Sequence, residues 1–183
     1  MDNGESSYRR YLTGDDIGLE NIIRDYKNGL ILYLNSFVRN LRAAEELCED
    51  TFVKLAVKKP RFSGKSSFKT FLYAIGRNVA LDYLKKQKSY APPEEVDEIS
   101  AETDSLETAY IKEERKAQVH RALGKLKPEY AQVLWLTYFE ELSNKETAAI
   151  MKKSVHAVET LVYRARLSLK DELVKEGFEY ENL

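Results

Sequence analysis

The sequence predicts an all-α protein with two small helical domains, an N-terminal helical bundle and a C-terminal helix-turn-helix domain, joined by a flexible acidic linker. Helix-breaking residues are sparse, with 8 glycines and 4 prolines among 183 residues. Apolar residues recur at three- and four-residue steps over long segments, and no run alternates with the period of a strand. An acidic segment with two adjacent prolines, 89–105, divides these segments into two groups and is the predicted linker.

The N-terminal domain, predicted over residues 1–88, contains three helices. The first spans about 16–40 and the second about 41–58, each with one apolar side. A loop marked by Pro60 and Gly64 precedes the third helix, which reaches Lys88. The side of the second helix opposite its apolar face carries four acids: Glu45, Glu46, Glu49 and Asp50. These charges are expected to be exposed, either as a docking surface or as an ordinary solvated face.

The formal net charge of -1 conceals a strong segregation of charge along the chain. Between residues 61 and 90 the basic residues face a single acid, Asp82, whereas between 91 and 114 the acids face a single base, Lys112. The basic block favours a polyanionic partner and the acidic block repels one.

Composition also excludes several classes of site. A single cysteine, Cys48, excludes an internal disulfide, and one cysteine with two histidines does not suffice for a four-ligand metal centre, so no metal or cofactor is expected. Cys48 lies on the apolar side of its helix and is predicted to be a core residue, with a redox switch as the alternative. The N-terminus lacks the apolar segment of a signal peptide and no apolar run approaches a membrane span, so a cytoplasmic protein is expected.

The C-terminal domain is predicted over 106–176, with a short tail at 177–183. A helix over 106–126 is followed by a second that has Pro128 in its first turn. In the segment "LSNKETAAIMKKSVHAVETLVYRARLSL", 142–169, Ser143 and Glu146 have the spacing of a capping box, and Ser154 can cap the next helix after a short turn. Two short helices joined in this way form a helix-turn-helix.

The second of these helices has two chemically different sides. The apolar side collects Val155, Val158, Leu161, Val162, Ala165 and Leu169. The polar side collects His156, Thr160, Tyr163 and Arg164, with Glu159 and Arg166 flanking it. Hydroxyl, aromatic and guanidinium groups suit base edges and phosphates in a major groove. The alternative is an ordinary solvated helix, which Glu159 favours because a carboxylate is repelled by phosphates.

The third helix of the N-terminal domain is predicted to expose a second, outward stripe that combines an aromatic residue with basic residues. Its members are Thr70, Tyr73, Arg77, Leu84 and Lys88. Single-stranded nucleic acid binds such surfaces, because bases stack on rings while cations hold the backbone. The alternative is a solvated basic face.

Three segments together resemble the extracytoplasmic-function (ECF) sigma factors of bacterial RNA polymerase. "LKPEYAQVLWLTYFEELSNKETAAIMKKSVHAVETLVYRARLSL" is similar to their promoter-reading domain, "AAEELCEDTFVKL" to their polymerase-binding segment, and "FSGKSSFKTFLYAIGRNVALDYLKKQK" to their promoter-opening segment. The chain departs from the family at four positions. Phe71 replaces a frequent tryptophan, Glu141 a glycine, Lys153 an apolar residue and Glu159 a frequent basic residue.

The resemblance implies a sigma factor that binds core RNA polymerase, recognises the -35 and -10 promoter elements and promotes melting, without catalysing a reaction itself. It assigns the -10 element and the melted non-template strand to Phe62, Ser63, Gly64, Lys65, Ser66, Ser67, Phe71, Tyr73, Arg77, Asn78, Lys85, Lys86 and Lys88. It assigns the -35 element to His156, Glu159, Thr160, Tyr163, Arg164 and Arg166. It assigns polymerase docking to Glu45, Glu46, Glu49 and Asp50, and it implies an anti-sigma factor as a further partner.

Two other functions fit parts of the sequence. A stand-alone helix-turn-helix regulator would need a sensing or interaction domain at its N-terminus, where an acidic face stands instead. A base-flipping enzyme would need paired carboxylates, a nucleophile or metal ligands beside the aromatic stripe, where only Asp82 lies nearby.

Overall fold

The computed structural model describes residues 4–90 and 114–177, and all regular structure in these two ranges is helical. The helices are α1 (Glu5–Leu12), α2 (Ile17–Val38), α3 (Leu41–Lys58), α4 (Phe68–Tyr90), α5 (Glu114–Lys125), α6 (Pro128–Leu134), α7 (Asn144–Met151) and α8 (Val155–Lys175), with a π-helical turn at Trp135–Phe139 after α6. The predicted linker after residue 90, the start of the helix predicted from 106 and the tail beyond 177 lie outside the described residues. The all-α prediction is confirmed for the two described ranges.

The N-terminal unit is a bundle of α1 to α4 around a core built by the apolar sides of α2, α3 and α4. Leu30, Leu34, Leu55 and Leu72 are fully buried there. The break between α2 and α3 has a local cause, since Arg39 adopts a left-handed conformation with φ of 48°. Asn40 then caps α3 by accepting a hydrogen bond of 3.0 Å from the Ala43 amide.

Helix α1 was not predicted from the sequence, because its two turns contain few apolar residues. It is fixed by its tyrosines, since Tyr8 is fully buried and its hydroxyl donates to the Pro60 carbonyl at 2.8 Å. Tyr11 donates to the Ala56 carbonyl at 3.1 Å. A Cβ on Gly18 would lie 2.2 Å from the Ser7 carbonyl oxygen, so α2 can approach α1 only with a glycine at this position.

The C-terminal unit packs α5, α6 and α7 against α8. Its core includes Val133, Leu134, Leu136, Ile150 and Val158, all nearly inaccessible to solvent. Pro128 occupies the first turn of α6, as predicted, where its missing amide hydrogen costs no helical bond.

The two units lie against each other, chiefly through α4 and α7. The Arg39 guanidinium donates to the Leu126 carbonyl. Lys69 on α4 forms an ion pair with Glu140, which precedes α7, at 3.0 Å. The face of α4 that meets the C-terminal unit is the face from which the sequence predicted nucleic-acid binding.

Candidate nucleic-acid interface

Helices α7 and α8 form the predicted helix-turn-helix, and both predicted caps are confirmed. The Ser143 hydroxyl oxygen accepts from the Glu146 amide at 3.2 Å, and the Ser143 amide donates to the Glu146 carboxylate at 3.0 Å. Lys152, with φ of 54°, ends α7 in a left-handed conformation, and the Ser154 hydroxyl then accepts from the Ala157 amide at 3.1 Å. The turn therefore has both of its ends fixed by local hydrogen bonds.

The buried stripe of α8 anchors it in the C-terminal unit. Val158 and Ala165 are fully buried, and Leu161, Val162 and Leu169 are partly buried against the same core. Val155 was predicted to face the core but is 42% exposed, because it is the first residue of α8.

The opposite side of α8 is open to solvent, as predicted. Tyr163 is 65% exposed, and His156, Glu159, Arg164 and Arg166 are also exposed. Neither Arg164 nor Arg166 forms an ion pair with any residue in 4–90 or 114–177. Thr160 is half-buried and its hydroxyl donates to the His156 carbonyl at 3.1 Å. The two arginines and the tyrosine are thus the groups of this face best placed to reach a ligand.

Glu141 stands where the resembling family usually has a glycine, and this replacement has a cost in backbone strain. It adopts φ of 55°, a left-handed conformation that glycine accepts without strain and that costs another residue about 1–2 kcal/mol. The chain therefore keeps the turn before α7 without the glycine.

The loop before α4 packs on the bundle through an aromatic cluster and exposes its polar residues to solvent. The ring of Phe62 lies 5.2 Å from that of Phe71 and 5.8 Å from that of Phe68, so this cluster holds the loop against the bundle. The residues from Ser63 to Ser67 are exposed, and Gly64 turns the loop with φ of 71°. Asn78 is half-buried on α4, and Lys85, Lys86 and Lys88 are exposed toward its C-terminal end. Their predicted contacts with DNA stay predictions.

The stripe predicted to be exposed on α4 is largely covered, and this prediction was wrong for two of its members. Tyr73 is fully buried and Thr70 is 3% exposed, while Arg77 is half-buried. Burial above all, and then the negative charge of Glu140, raise the pKa of Tyr73 well above its usual value. These residues are buried by tertiary contacts, since the α4 stripe packs on α2 and under the C-terminal unit. Helical periodicity in the sequence does not predict such contacts.

Two carboxylates of the C-terminal unit make the polar contacts that cover this stripe. Glu140 accepts from the Trp135 indole nitrogen at 3.1 Å and pairs with the Lys69 ammonium, which also donates to the Glu140 carbonyl at 3.2 Å. Glu146 accepts from the Ser67 hydroxyl at 3.0 Å and from the Thr70 hydroxyl at 3.3 Å. The sequence gives no signal for these contacts, because the partners are more than 70 residues apart.

The carboxylate of Glu146 therefore takes part both in the cap of α7 and in the contact with the N-terminal unit. Its Oε2 atom belongs to the capping box with Ser143, and its Oε1 atom accepts both hydroxyls from the N-terminal unit. Burial tends to raise the pKa of Glu146, but the hydrogen bonds from Ser143, Ser67 and Thr70 outweigh it and leave that pKa below its usual value.

The acidic side of α3 forms a separate surface. Glu46, Glu49 and Asp50 are exposed, as expected from the sequence, whereas Glu45 is half-buried. Behind them Cys48 is 1% exposed, and burial raises the pKa of its thiol to about 12. A thiol this inaccessible and this weakly ionised is a core group, as predicted. Within the described ranges, no cluster of histidine, cysteine and acidic side chains could hold a metal ion.

Comparison with known proteins matches both units to one family. The model for "Sigma-70 region 2" matches residues 22–90, and the model for "Sigma-70, region 4" matches residues 116–169. RNA polymerase sigma factor YlaC of Bacillus subtilis is 32% identical over 86% of this chain and 92% of its own length. ECF RNA polymerase sigma factor SigW of the same organism is 27% identical over 87% of this chain and 91% of its own length.

Solved structures share the fold at lower identity. CnrH, in complex with the cytosolic domain of CnrY, superposes with a TM-score of 0.68 at 22% identity over 95% of this chain and 99% of that one. The sigma factor RpoE from Bartonella quintana, in complex with the anti-sigma factor NepR, gives a TM-score of 0.66 at 21% identity over 84% and 95% of the two chains. Among the described helices, none is both long and apolar enough to cross a membrane.

Proposed function

The chain belongs to the ECF group of RNA polymerase sigma factors and is therefore a promoter-recognising initiation factor, and from that premise we propose how its surfaces divide the work. Helix α8 reads the -35 element, the loop before α4 together with α4 opens the -10 element, and the acidic side of α3 docks on core RNA polymerase. We further propose that the chain itself catalyses no reaction and that it acts in the cytoplasm.

The observation that carries the proposal is the exposed side of α8. A helix anchored by Val158 and Ala165 and capped by Ser154 presents Tyr163, Arg164 and Arg166 outward without competing ion pairs among the described residues. Arginine is suited to bidentate contact with guanine or to phosphates, and the preceding α7 supports the recognition helix from behind. The carboxylate of Glu159 on the same side of α8 limits which bases can bind there, because it needs a hydrogen-bond donor such as the cytosine amino group.

Opening of the -10 element is proposed for the loop 62–67 and the adjoining surface of α4. A base taken out of the stack needs a pocket that replaces stacking, worth a few kcal/mol per step. The Phe62, Phe68 and Phe71 rings supply a rigid apolar wall, and the exposed loop hydroxyls supply hydrogen bonds. Lys85, Lys86 and Lys88 would hold duplex phosphates beyond this pocket.

Polymerase docking is proposed for the exposed carboxylates of α3. They repel DNA and attract a basic or amide-rich protein surface, so this side of the bundle serves a partner different from that of α4. An anti-sigma factor is proposed as a further partner. The basis for this is the likeness to RpoE, whose structure was solved with the anti-sigma factor NepR.

A pull-down with core polymerase followed by run-off transcription from a randomised promoter library tests the proposal. We expect polymerase to be retained and transcripts to start from a selected subset of promoters. Retention of duplex DNA without retention of polymerase would instead support a stand-alone helix-turn-helix regulator.

A further inference from the structure

The loop before α4, which we propose to open the -10 element, has little backbone bonding of its own. Within residues 4–90 and 114–177, the backbone of residues 60–66 forms no hydrogen bond with another backbone group. A segment of this kind samples several arrangements unless side chains hold it. The end of the loop is held by Ser67, whose hydroxyl accepts from the Thr70 amide at 3.2 Å. The start of the loop is held by a different element, helix α1.

Helix α1 contacts two consecutive residues at the start of the loop. The Tyr8 hydroxyl donates to the carbonyl of Pro60, 52 residues along the chain, at 2.8 Å. The Lys59 ammonium lies 4.8 Å from the centre of the Tyr11 ring, within the range of a cation–π contact. Lys59 also ends α3 in a left-handed conformation, with φ of 43°. The two tyrosines of α1 therefore fix the chain where it leaves α3 and enters the loop.

The ring of Tyr8 packs behind the aromatic wall that we propose to face the flipped base. Its centre lies 5.4 Å from that of Phe68 and 6.0 Å from that of Phe71. Both of these rings pack on Phe62 from the loop. A Cβ on Gly4, at the start of α1, would clash with the Phe68 ring, so α1 approaches this wall closely only with a glycine there. One side chain thus connects α1 to the start of the loop and to the wall behind it.

The Tyr8 hydroxyl is a permanent donor, because burial above all, and then the neighbouring Tyr11, raise the pKa of Tyr8 to about 12. Helix α1 lies before residues 22–90, which match sigma-70 region 2. The family match therefore assigns no role to this helix.

We propose that Tyr8 is a positioning residue for promoter opening, which holds the start of the loop before α4 in the arrangement that receives the melted strand. The proposal rests on the function proposed for this loop. Tyr8 touches no DNA and acts through the Pro60 carbonyl. A loop held in advance binds a strand more tightly, because less conformational freedom is lost on binding.

The test measures how tightly holoenzyme binds a fluorescent oligonucleotide that carries the non-template strand of the -10 element from a promoter selected out of the randomised library. Tyr8→Phe keeps the buried ring and removes the hydroxyl. Loss of one such hydrogen bond changes an equilibrium constant by about two- to tenfold, and strand affinity falls with the fraction of chains whose loop is held. We expect strand binding to weaken about two- to fivefold, with unchanged affinity for core polymerase and for upstream duplex DNA.

Tyr11→Phe is the matched control. It also removes a phenol hydroxyl from α1, but that hydroxyl donates to the Ala56 carbonyl on α3, at 3.1 Å, and the ring beside Lys59 is kept. Both variants should lower the midpoint of thermal unfolding by a similar small amount, and only Tyr8→Phe should weaken strand binding. Equal weakening by the two variants would show that the hydroxyls act through the stability of the bundle, which would overturn the positioning role.

Phe62→Leu in the same assay separates this role from the function of the loop. If Phe62→Leu weakens strand binding while Tyr8→Phe binds like the wild type, the positioning role is overturned and the function of the loop stands. If Phe62→Leu leaves strand binding unchanged, or if wild-type holoenzyme does not bind the strand, the function proposed for the loop is overturned and the role of Tyr8 with it.

Discussion

Helices α8 and α4 carry the two surfaces proposed to bind DNA, and the structure leaves one open and covers the other. Tyr163 on α8 is 65% exposed, whereas Tyr73 on α4 is fully buried. Both helices have an apolar side and a side rich in aromatic and basic residues, so their sequences alone do not distinguish them. The difference arises because α8 lies on the outside of the C-terminal unit, while α4 packs on α2 through Tyr73 and Tyr33 and meets the C-terminal unit through Glu140 and Glu146. In this conformation the polar side of α8 is accessible to a ligand, whereas Thr70 and Tyr73 on α4 are not.

The largest expected effect concerns the acidic side of α3, which we propose to dock on core RNA polymerase. In the Glu49→Lys/Asp50→Lys variant, like charges would face each other across the interface, which costs several kcal/mol, so we expect core-polymerase affinity to fall about 100-fold. Both residues are exposed, so the helix should stay folded. Asp16→Lys/Glu20→Lys carries the same charge change on an exposed part of the bundle and should bind normally. The affinity of each variant for purified core enzyme is the quantity to measure. Wild-type affinity in the α3 variant would show that these acids do not dock on polymerase.

The next prediction separates promoter opening, which we assign to the loop before α4, from recognition of duplex DNA by α8. Phe62→Leu keeps an apolar side chain but loses the ring, and Asn78→Ala loses a polar group behind the loop. Loss of base stacking costs about 1–3 kcal/mol, so open-complex formation should drop while affinity for upstream duplex DNA is kept. Permanganate reactivity of the opened strand measures the first quantity and a duplex binding assay the second. Unchanged permanganate footprints would place the flipped-base pocket elsewhere.

The reciprocal change is made on α8. Arg164→Ala should lose either a base contact, at about 1–3 kcal/mol with flattened preference at one position, or a phosphate contact. A lost phosphate contact weakens all sequences alike and lowers the salt slope by roughly one unit. Arg166→Ala is the comparison variant, since we expect Arg166 to contact a phosphate. Selection from a randomised upstream element distinguishes these outcomes.

Glu159 provides a gain-of-binding version of the same experiment. Glu159→Lys or Glu159→Arg replaces a carboxylate that phosphates repel with the basic residue frequent in the family. We expect tighter duplex binding and an altered base preference beside the Arg164 contact. If neither Arg164→Ala nor the Glu159 variants change selection from the library, α8 does not choose the promoter.

The smallest effect concerns the stability of the unit that covers α4. His120 lies 5.2 Å from the rings of Trp135 and Phe139, and burial lowers its pKa to about 4. The unfolded chain binds the proton near pH 6.5, so folding stability is full above that pH and falls as the pH drops toward 4.

We expect the unfolding free energy of the wild type to fall by about 2 kcal/mol more than that of His120→Phe between about pH 7 and pH 5. Fluorescence of Trp135, the single tryptophan, reports unfolding of this unit. His156→Gln changes an exposed histidine and should keep the wild-type pH profile. An identical profile in His120→Phe would show that the histidine is not buried as described.

The helices, their caps and the exposed side of α8 could be predicted because each depends on residues a few positions apart. Ser143 with Glu146 and Ser154 with Ala157 are contacts of this kind. Helix α1 was missed because two buried tyrosines carry most of its tertiary packing. The burial of Thr70 and Tyr73 was missed because helical periodicity separates an apolar side from a polar one. It cannot show that a unit encoded 70 residues later packs on the polar side.

Hydroxyl-radical footprinting of the full chain tests the difference between α8 and α4 most directly, because Tyr73 and Tyr163 have the same intrinsic reactivity. In the free chain Tyr163 should be oxidised rapidly, while Tyr73 should be protected as fully as the core residue Tyr8. Oxidation of Tyr73 in the free chain at the rate of Tyr163 would contradict the covered strand surface on which the account depends.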